Sequence, residues 1–281
     1  MTLPSLLIAD ANPAAPAKTI AALFLLPDCD MACDFCASEL GFDRMGFEQA
    51  VALFDDLVAA GYESVVLGGG EPCLWRDPQG RDLGDLARAA RERGLVVQVN
   101  TNGIRLPEEP DAATHLPRYL TWPDVDRFVF PMDGASPERH DELRLIKGRR
   151  PEGHFTLVQR RVVECTAAGQ ALTIGTVLTS RNVDQVPALI DWMGERVSRG
   201  TRIHAWHLYR FVPVGRGGAT AELDLDPEPY AAACDAAKAA GLPFPVWRRS
   251  DMTRPSTVEF LWYEKGELKL GSQEWRAPAM G

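Results

Sequence analysis

The sequence predicts an α/β protein, and within that class a partial (β/α)6, TIM-like barrel followed by a short C-terminal helix and β-hairpin extension. Three observations lead there. Short apolar runs alternate with longer amphipathic stretches over residues 20–211, the rhythm of parallel strands joined by right-handed helical crossovers. Gly61, Gly94 and Gly169 stand where the amphipathic stretches should stop, and a left-handed helix cap costs glycine least. The rhythm repeats six times, short of a closed eight-stranded barrel. An open barrel is therefore preferred, with a doubly wound sheet as the alternative.

In chain order, residues 1–18 form an N-terminal arm, with three prolines and many alanines before residue 18. The core follows over 19–218. Its strands are predicted at 20–26, 64–67, 96–100, 127–130, 172–178 and 204–211. Helices are predicted at 47–60, 83–93, 137–144 with 155–168, and 183–197. In the first helix Val51, Phe54 and Val58 recur at three- and four-residue spacing, as one buried face requires. Residues 105–123 carry four prolines and little periodicity, which predicts a surface insertion. Beyond residue 219 a helix at 229–240 and a hairpin of 258–263 with 267–270 around Lys265-Gly266 form an extension expected to cap the barrel.

The bulk numbers exclude several classes. The chain has 281 residues and a net charge of −9, from 39 acidic and 30 basic side chains, which disfavours long nucleic acids as partners. A local basic pocket can still hold a small anion. No segment approaches the roughly 20 apolar residues of a membrane span, and the N-terminus lacks the pattern of a secretory leader. A cytoplasmic protein with no membrane association is expected. Six cysteines are too few for a disulfide scaffold, and three fall within eight residues, which points to metal or redox chemistry.

Those three are Cys29, Cys33 and Cys36, in the run Pro27-Asp28-Cys29-Asp30-Met31-Ala32-Cys33-Asp34-Phe35-Cys36 directly after the first strand. A C-x3-C-x2-C loop can wrap three soft thiolates around one face of a cubane cluster. A closed structural site normally takes four protein ligands. A set of three leaves one coordination position open to a small molecule. Two other readings stand beside this one: a zinc site completed by a distant ligand, for which Cys73 is the nearest candidate, or incidental buried thiols.

The later motifs narrow the field. Gly69-Gly70-Glu71-Pro72 follows the second strand, Asn100-Thr101-Asn102-Gly103 the third, and Met132-Asp133-Gly134 the fourth, with His140-Asp141 and Arg144 soon after. Thr176-Val177-Leu178-Thr179 ends the fifth. In this order, over residues 20–216, the chain resembles the radical S-adenosylmethionine (SAM) superfamily. Within it the resemblance is to the branch of the molybdenum-cofactor cyclase, viperin and the peptide maturases, without an auxiliary-cluster C-terminal domain. The resemblance implies a [4Fe–4S] cluster on Cys29, Cys33 and Cys36. It also implies SAM binding by Phe35, Gly69, Gly70, Glu71, Pro72, Asn102, Asp133, Arg144 and Thr179, with Phe35 near the adenine and Glu71 near the amino group. Reductive cleavage of SAM to a 5′-deoxyadenosyl radical, hydrogen abstraction from a substrate, and an external flavodoxin- or ferredoxin-type electron donor are implied with it. Pro131 stands where relatives often have serine.

Beyond Arg216 only Cys234 remains, so the expected substrate is a small metabolite, nucleotide or sugar, with peptide or macromolecule modification as the alternative. Arg210 and Arg216 are the candidates for neutralising an anionic group on it. On the sixth strand Trp206, Leu208 and Arg210 alternate with His207 and Tyr209, so one of the two sets should face the lumen.

Overall fold

The computed structural model describes residues 19–37, 41–148, 152–213, 215–249 and 257–274. The N-terminal arm therefore lies outside the described residues. Six strands appear in chain order: β1 Ile20–Phe24, β2 Ser64–Gly68, β3 Val96–Asn100, β4 Arg127–Pro131, β5 Leu172–Leu178 and β6 Ile203–Arg210. Between them run α1 Phe47–Ala59, α2 Leu83–Arg91, α3 Pro137–Asp141, α4 His154–Ala167 and α5 Val186–Ser198. Gly61, Gly94 and Gly169 each adopt positive φ, in keeping with their expected role as stop signals.

Strands β1 to β6 pair in sequence order, and every one of those pairs is parallel. A doubly wound sheet would reverse its order of growth at a switch point. This one grows in a single direction, as a barrel wall does. Alternate residues then divide between two sides. Val65, Leu67, Val97 and Val99 join the main core with Leu53, Phe54 and Leu57 of α1. Ala22, Phe24, Val66, Gly68, Gly175 and Val177 line an interior cavity.

The C-terminal segment departs from the expectation of a cap. After α6 (Pro227–Ala239), β7 (Val246–Arg249) adds in parallel to β6, and β8 (Val258–Glu264) adds in parallel to β1. β9 (Glu267–Leu270) completes the hairpin antiparallel to β8. The extension thus supplies strands to both edges of the sheet. This arrangement forces curvature. Eight residues, and so nine chain steps, separate Arg249 from Val258, a reach of at most roughly 32 Å. In a flat sheet, seven strand spacings between β7 and β8 would need about 34 Å before the chain returned from the end of one strand to the start of the other. The two edges must approach each other.

Other differences are local. The buried face of α1 is Ala50, Leu53, Phe54 and Leu57, whereas Val58 is 41% exposed. The fifth helix is led in by a 3-10 turn, Val183–Gln185. The 105–123 insertion is tied down by Tyr119, which is fully buried and donates to Glu164 at 2.7 Å.

The corrected face of α1 is testable by denaturant unfolding. Leu57→Ala is expected to cost about 2–5 kcal/mol, and Val58→Ala no more than about 0.5 kcal/mol. Equal losses would contradict the assignment.

Candidate active site

Parallel pairing brings the C-terminal ends of β1 to β5 to one rim, and the loops leaving them build the site. The Cys29–Cys36 loop is clamped from two sides. Ala32 N–H donates to the Leu145 carbonyl at 2.7 Å, Lys147 N–H to the Asp30 carbonyl at 2.8 Å, and the Lys147 ammonium to the Cys29 carbonyl at 3.0 Å. On the other side Gly217 N–H donates to the Cys36 carbonyl at 3.0 Å, and the Thr220 hydroxyl to the Asp34 carbonyl at 2.9 Å.

All three cysteines of the loop line a cavity of about 270 Å³. They belong to a small apolar cluster with Met31, Phe35, Leu143 and Phe211, separate from the main core. Burial pushes the Cys29 thiol up to about 11, against a lowering hydrogen bond from Met31 N–H. Metal binding must displace that proton. Among the described residues, no three Cys, His, Asp or Glu side chains converge on a single ion. A lone zinc needs such convergence at about 2.3 Å from each sulfur; a cubane offers separate irons to separate thiolates. Three thiols on one cavity wall fit the separate irons of a cubane.

Cys73, the candidate fourth ligand, is elsewhere. Its sulfur is buried in the main core, 3.5 Å from the Thr101 hydroxyl, and is not part of the cavity wall. Burial, then the neighbouring Glu71, holds this thiol well above its ordinary range.

The glycines after β2 serve chain packing as much as ligand access. A Cβ on Gly69 would come within 2.9 Å of the Leu25 nitrogen, and one on Gly70 within 2.2 Å of the Asp28 carbonyl oxygen. Their lack of side chains lets Gly70 N–H reach the Leu26 carbonyl (2.7 Å) and Glu71 N–H the Asp28 carbonyl (2.8 Å). Gly69 and Gly70 also border the cavity.

Glu71 and Pro72 are not on the cavity wall. The Glu71 carboxylate is fully buried and accepts from Cys73 N–H (3.0 Å), the Thr101 hydroxyl (2.6 Å) and Asn102 N–H (2.8 Å). Where the sequence suggests contact with an ammonium group, the side chain instead joins the second loop to the third. Asp133 and Thr179 are also buried behind the wall. Asp133 accepts from Val177 N–H at 2.7 Å and pairs with Arg144, and the Thr179 hydroxyl donates to Asn182 at 2.9 Å.

Phe35, Asn102, Arg144 and Arg210 do line the cavity. The Arg144 guanidinium lies 4.6 Å from the Phe35 ring centre, within cation–π range. Burial opposes its charge, but Asp133 and the sulfurs of Cys33 and Cys36 more than offset that and raise its pKa. Asn102 accepts from Ile104 N–H at 2.8 Å, which points its NH2 group at Asp30 (2.9 Å) and toward the Cys29 sulfur (3.8 Å). Arg210 is committed to the Leu225 carbonyl (2.7 Å) and Asp224 (3.4 Å). The Arg216 side chain lies outside the described residues.

Sequence reasoning named His140 but missed the buried histidine it meets, His154. Asp133 N–H donates to His140 Nδ1 at 3.0 Å, His140 Nε2 meets His154 Nδ1 at 2.8 Å, and His154 Nε2 meets the Asn102 carbonyl at 2.9 Å. The end groups fix every tautomer: both rings are neutral and carry the proton on Nε2. Burial pushes both down to about 3; Arg144 adds to it at His140, and His140 and then Arg144 add to it at His154. Asp141 accepts from Phe155 N–H at 2.8 Å, at the start of the helix that carries His154. The relay joins the loop after β4 to the loop after β3.

With this geometry in view, the comparisons with known proteins are specific. The profile of the Radical SAM superfamily matches residues 23–193. The Fe-coproporphyrin III synthase of Methanosarcina barkeri is 28% identical over 74% of this chain and 47% of its own length. The PqqA peptide cyclase of Ruegeria pomeroyi is 27% identical over 63% of this chain and 46% of its own. The chain thus spans about half the length of the curated relatives it matches. Streptococcus suis SuiB bound to S-adenosylmethionine superposes with a TM-score of 0.63 at 13% identity, over 94% of this chain and 62% of that one. Bound to its precursor peptide SuiA, the same protein gives a TM-score of 0.55 at 16% identity, over 82% and 49%. This chain belongs to the radical SAM superfamily; it is an enzyme whose cofactors are a [4Fe–4S] cluster and SAM. No helix among the described residues is long and apolar enough to cross a membrane.

Two outcomes are expected. Replacing Cys29, Cys33 or Cys36 by Ala should abolish cluster loading, measured as bound iron and sulfide, while Cys73→Ala keeps at least part of it. Equal loss would place Cys73 among the ligands. The histidine pair should also set an acid limit. Unfolded histidine titrates near 6.5, so the unfolded chain binds more protons between about 6.5 and 3. Stability present above that window is lost as pH falls through it, by at most about 1.4 kcal/mol per unit for each ring. In urea unfolding of the cluster-free protein, His140→Gln with His154→Gln should flatten this slope. An unchanged slope would remove the pair from the acid response.

Proposed function

We propose that this radical SAM enzyme binds its cluster through Cys29, Cys33 and Cys36 and abstracts hydrogen from a peptide substrate presented to the barrel cavity. The single observation that carries the chemistry is the convergence of three cysteines, Phe35, Gly69, Gly70, Asn102 and Arg144 on one cavity. When bound, the cluster and SAM supply one-electron cleavage of SAM and the hydrogen abstraction that follows.

The chain's own residues position and shield. Cys29, Cys33 and Cys36 hold the cluster, and Arg144 sets a positive charge beside them. Phe35, Gly69, Gly70 and Asn102 offer an aromatic face, open backbone and an amide to SAM. Glu71, Asp133 and Thr179 act through the loops they fasten. The apolar wall from Phe24, Val66, Val129 and Val177 keeps water from the reacting carbon. A flavodoxin- or ferredoxin-type protein supplies the electron, and the cytoplasm is a compartment that keeps these thiols reduced.

A peptide substrate is favoured over the small metabolite, nucleotide or sugar expected from the sequence. The support is the likeness to PqqA peptide cyclases and to SuiB, which was solved with its precursor peptide. A small carboxylated ring compound is the second reading, favoured by the Fe-coproporphyrin III synthase relative.

The test is anaerobic reconstitution with dithionite and SAM, followed by short peptides encoded beside the gene. Formation of 5′-deoxyadenosine, increased by one of these peptides and matched by a change in that peptide's mass, is expected. SAM cleavage that no such peptide stimulates, but a porphyrinogen or porphyrin does, would favour the second reading. Zinc bound stoichiometrically without SAM cleavage would sink both.

A further inference from the structure

Next to Tyr209, which lines the cavity, stands a cation that the cofactor reading does not use, Arg249. Across β6 and β7 the register sets Tyr209 beside Arg249 and His207 beside Trp247. Alternation turns these four side chains to the face opposite the buried Trp206 and Leu208; on that face Tyr209 lines the cavity and Trp247 is 50% exposed.

The three polar groups form a chain with a direction. An Arg249 terminal nitrogen lies 3.4 Å from His207 Nε2, and His207 Nδ1 lies 3.3 Å from the Tyr209 hydroxyl. Guanidinium only donates, so Nε2 accepts and the imidazole proton sits on Nδ1, facing the tyrosine oxygen. The Tyr209 O–H is then left to donate into the cavity.

Arg249 has no counter-ion among the described residues. Its Nε is buried without a hydrogen-bond partner, and its remaining contacts are His207 and, at 6.0 Å, the Trp247 ring. Arg127, from β4, has a buried and unpartnered Nε as well. Burial pushes His207 down to about 3, and Arg249, His204 and Arg127 add to that; no carboxylate acts in the other direction. Elsewhere guanidinium groups that are as sheltered find acids: Arg144 has Asp133, and Arg161 has Glu164. A sheltered guanidinium without a partner is costly to keep.

We propose that the β6–β7 wall is the substrate's anion site, in which Arg249 and Tyr209, aligned by His207, receive a carboxylate or phosphate group. The missing counter-ion is the substrate's own. On the peptide reading the group is an acidic side chain or the C-terminal carboxylate; on the small-molecule reading it is a carboxylate or a phosphate ester. The site deepens the function proposed above and rests on it for the identity of the reaction. It also replaces Arg210, whose guanidinium is already engaged, as the cation that meets substrate.

The full chain with its cluster reconstituted is titrated with sodium acetate and, separately, with sodium phosphate at constant ionic strength set by sodium chloride. The readout is the fluorescence of Trp247, isolated from the other tryptophans by subtracting the Trp247→Phe response. A saturable response to acetate or phosphate is expected, weakened about tenfold or more in Arg249→Gln, as loss of a charge-assisted bond requires. Arg249→Lys should restore part of it, which separates loss of charge from loss of fold. Response to acetate alone identifies a carboxylate site, and response to phosphate a phosphate site. No saturable response to either anion, or a response untouched by Arg249→Gln, overturns the proposal. Wild-type SAM cleavage is measured in parallel: its failure would remove the radical SAM reading while leaving the anion titration intact, and its success beside a flat titration would remove the anion site alone.

Discussion

One buried carboxylate holds the site together. Glu71 sits at full burial between the loops that leave β2 and β3, with each oxygen matched to donors from those loops. An ionised carboxylate taken out of water is costly unless its lone pairs are answered, so the two loops cannot separate without exposing that cost. The consequences spread outward from it. Asn102 is held by its backbone to Glu71, and its side chain grips Asp30 beside Cys29. Gly70, the residue before Glu71, packs so closely on the Asp28 carbonyl that no side chain fits. The cysteine loop is therefore positioned by a carboxylate that never reaches the cavity.

The histidine relay performs the same task one strand further on. It joins Asp133, after β4, to the carbonyl of Asn102, after β3, through two rings whose tautomers are fixed at both ends. Asp133 in turn holds Arg144 next to Phe35 and the cysteines. The polar side chains behind the wall thus act through one another. The wall itself presents three thiols, the Phe35 ring, open glycine backbone, Asn100, Thr101, Asn102, Tyr209 and the cations of Arg144 and Arg210.

What was legible in the sequence follows from how local each signal is. Strands β1 to β6, the glycine stops and the cysteine spacing are written in neighbouring residues, and they could be read directly. Side-chain direction is not local. Glu71 and Asp133 could be recognised as site positions, yet whether they face a ligand or the next loop depends on donors contributed by other strands. The α1 face shows the same limit on a small scale: Val51, Phe54 and Val58 fit a helical stripe, but packing selects Leu53 and Leu57 and leaves Val58 in solvent. β7 was missed because Val246-Trp247-Arg248-Arg249 is short and half cationic, and only its pairing with β6 makes it a strand. His154 gave no signal at all, being an ordinary residue at a helix start until His140 is folded against it.

The missed strand matters because it ties closure of the fold to the chemistry of the wall. Eight residues must carry the chain from Arg249, on the edge strand β7, to Val258, on β8 seven strands away. That reach is too short for a flat sheet, so the β6–β7 edge has to turn inward and bring Arg249 with it. A cation so placed acts only at short range. With a net charge of −9 the protein as a whole repels anions, and that field fades within about 8 Å at physiological salt. Long-range steering would discourage an anionic substrate, whereas a guanidinium without its own counter-ion would hold one that had already entered. Selection on such a site works through residence in the barrel rather than through the rate of encounter.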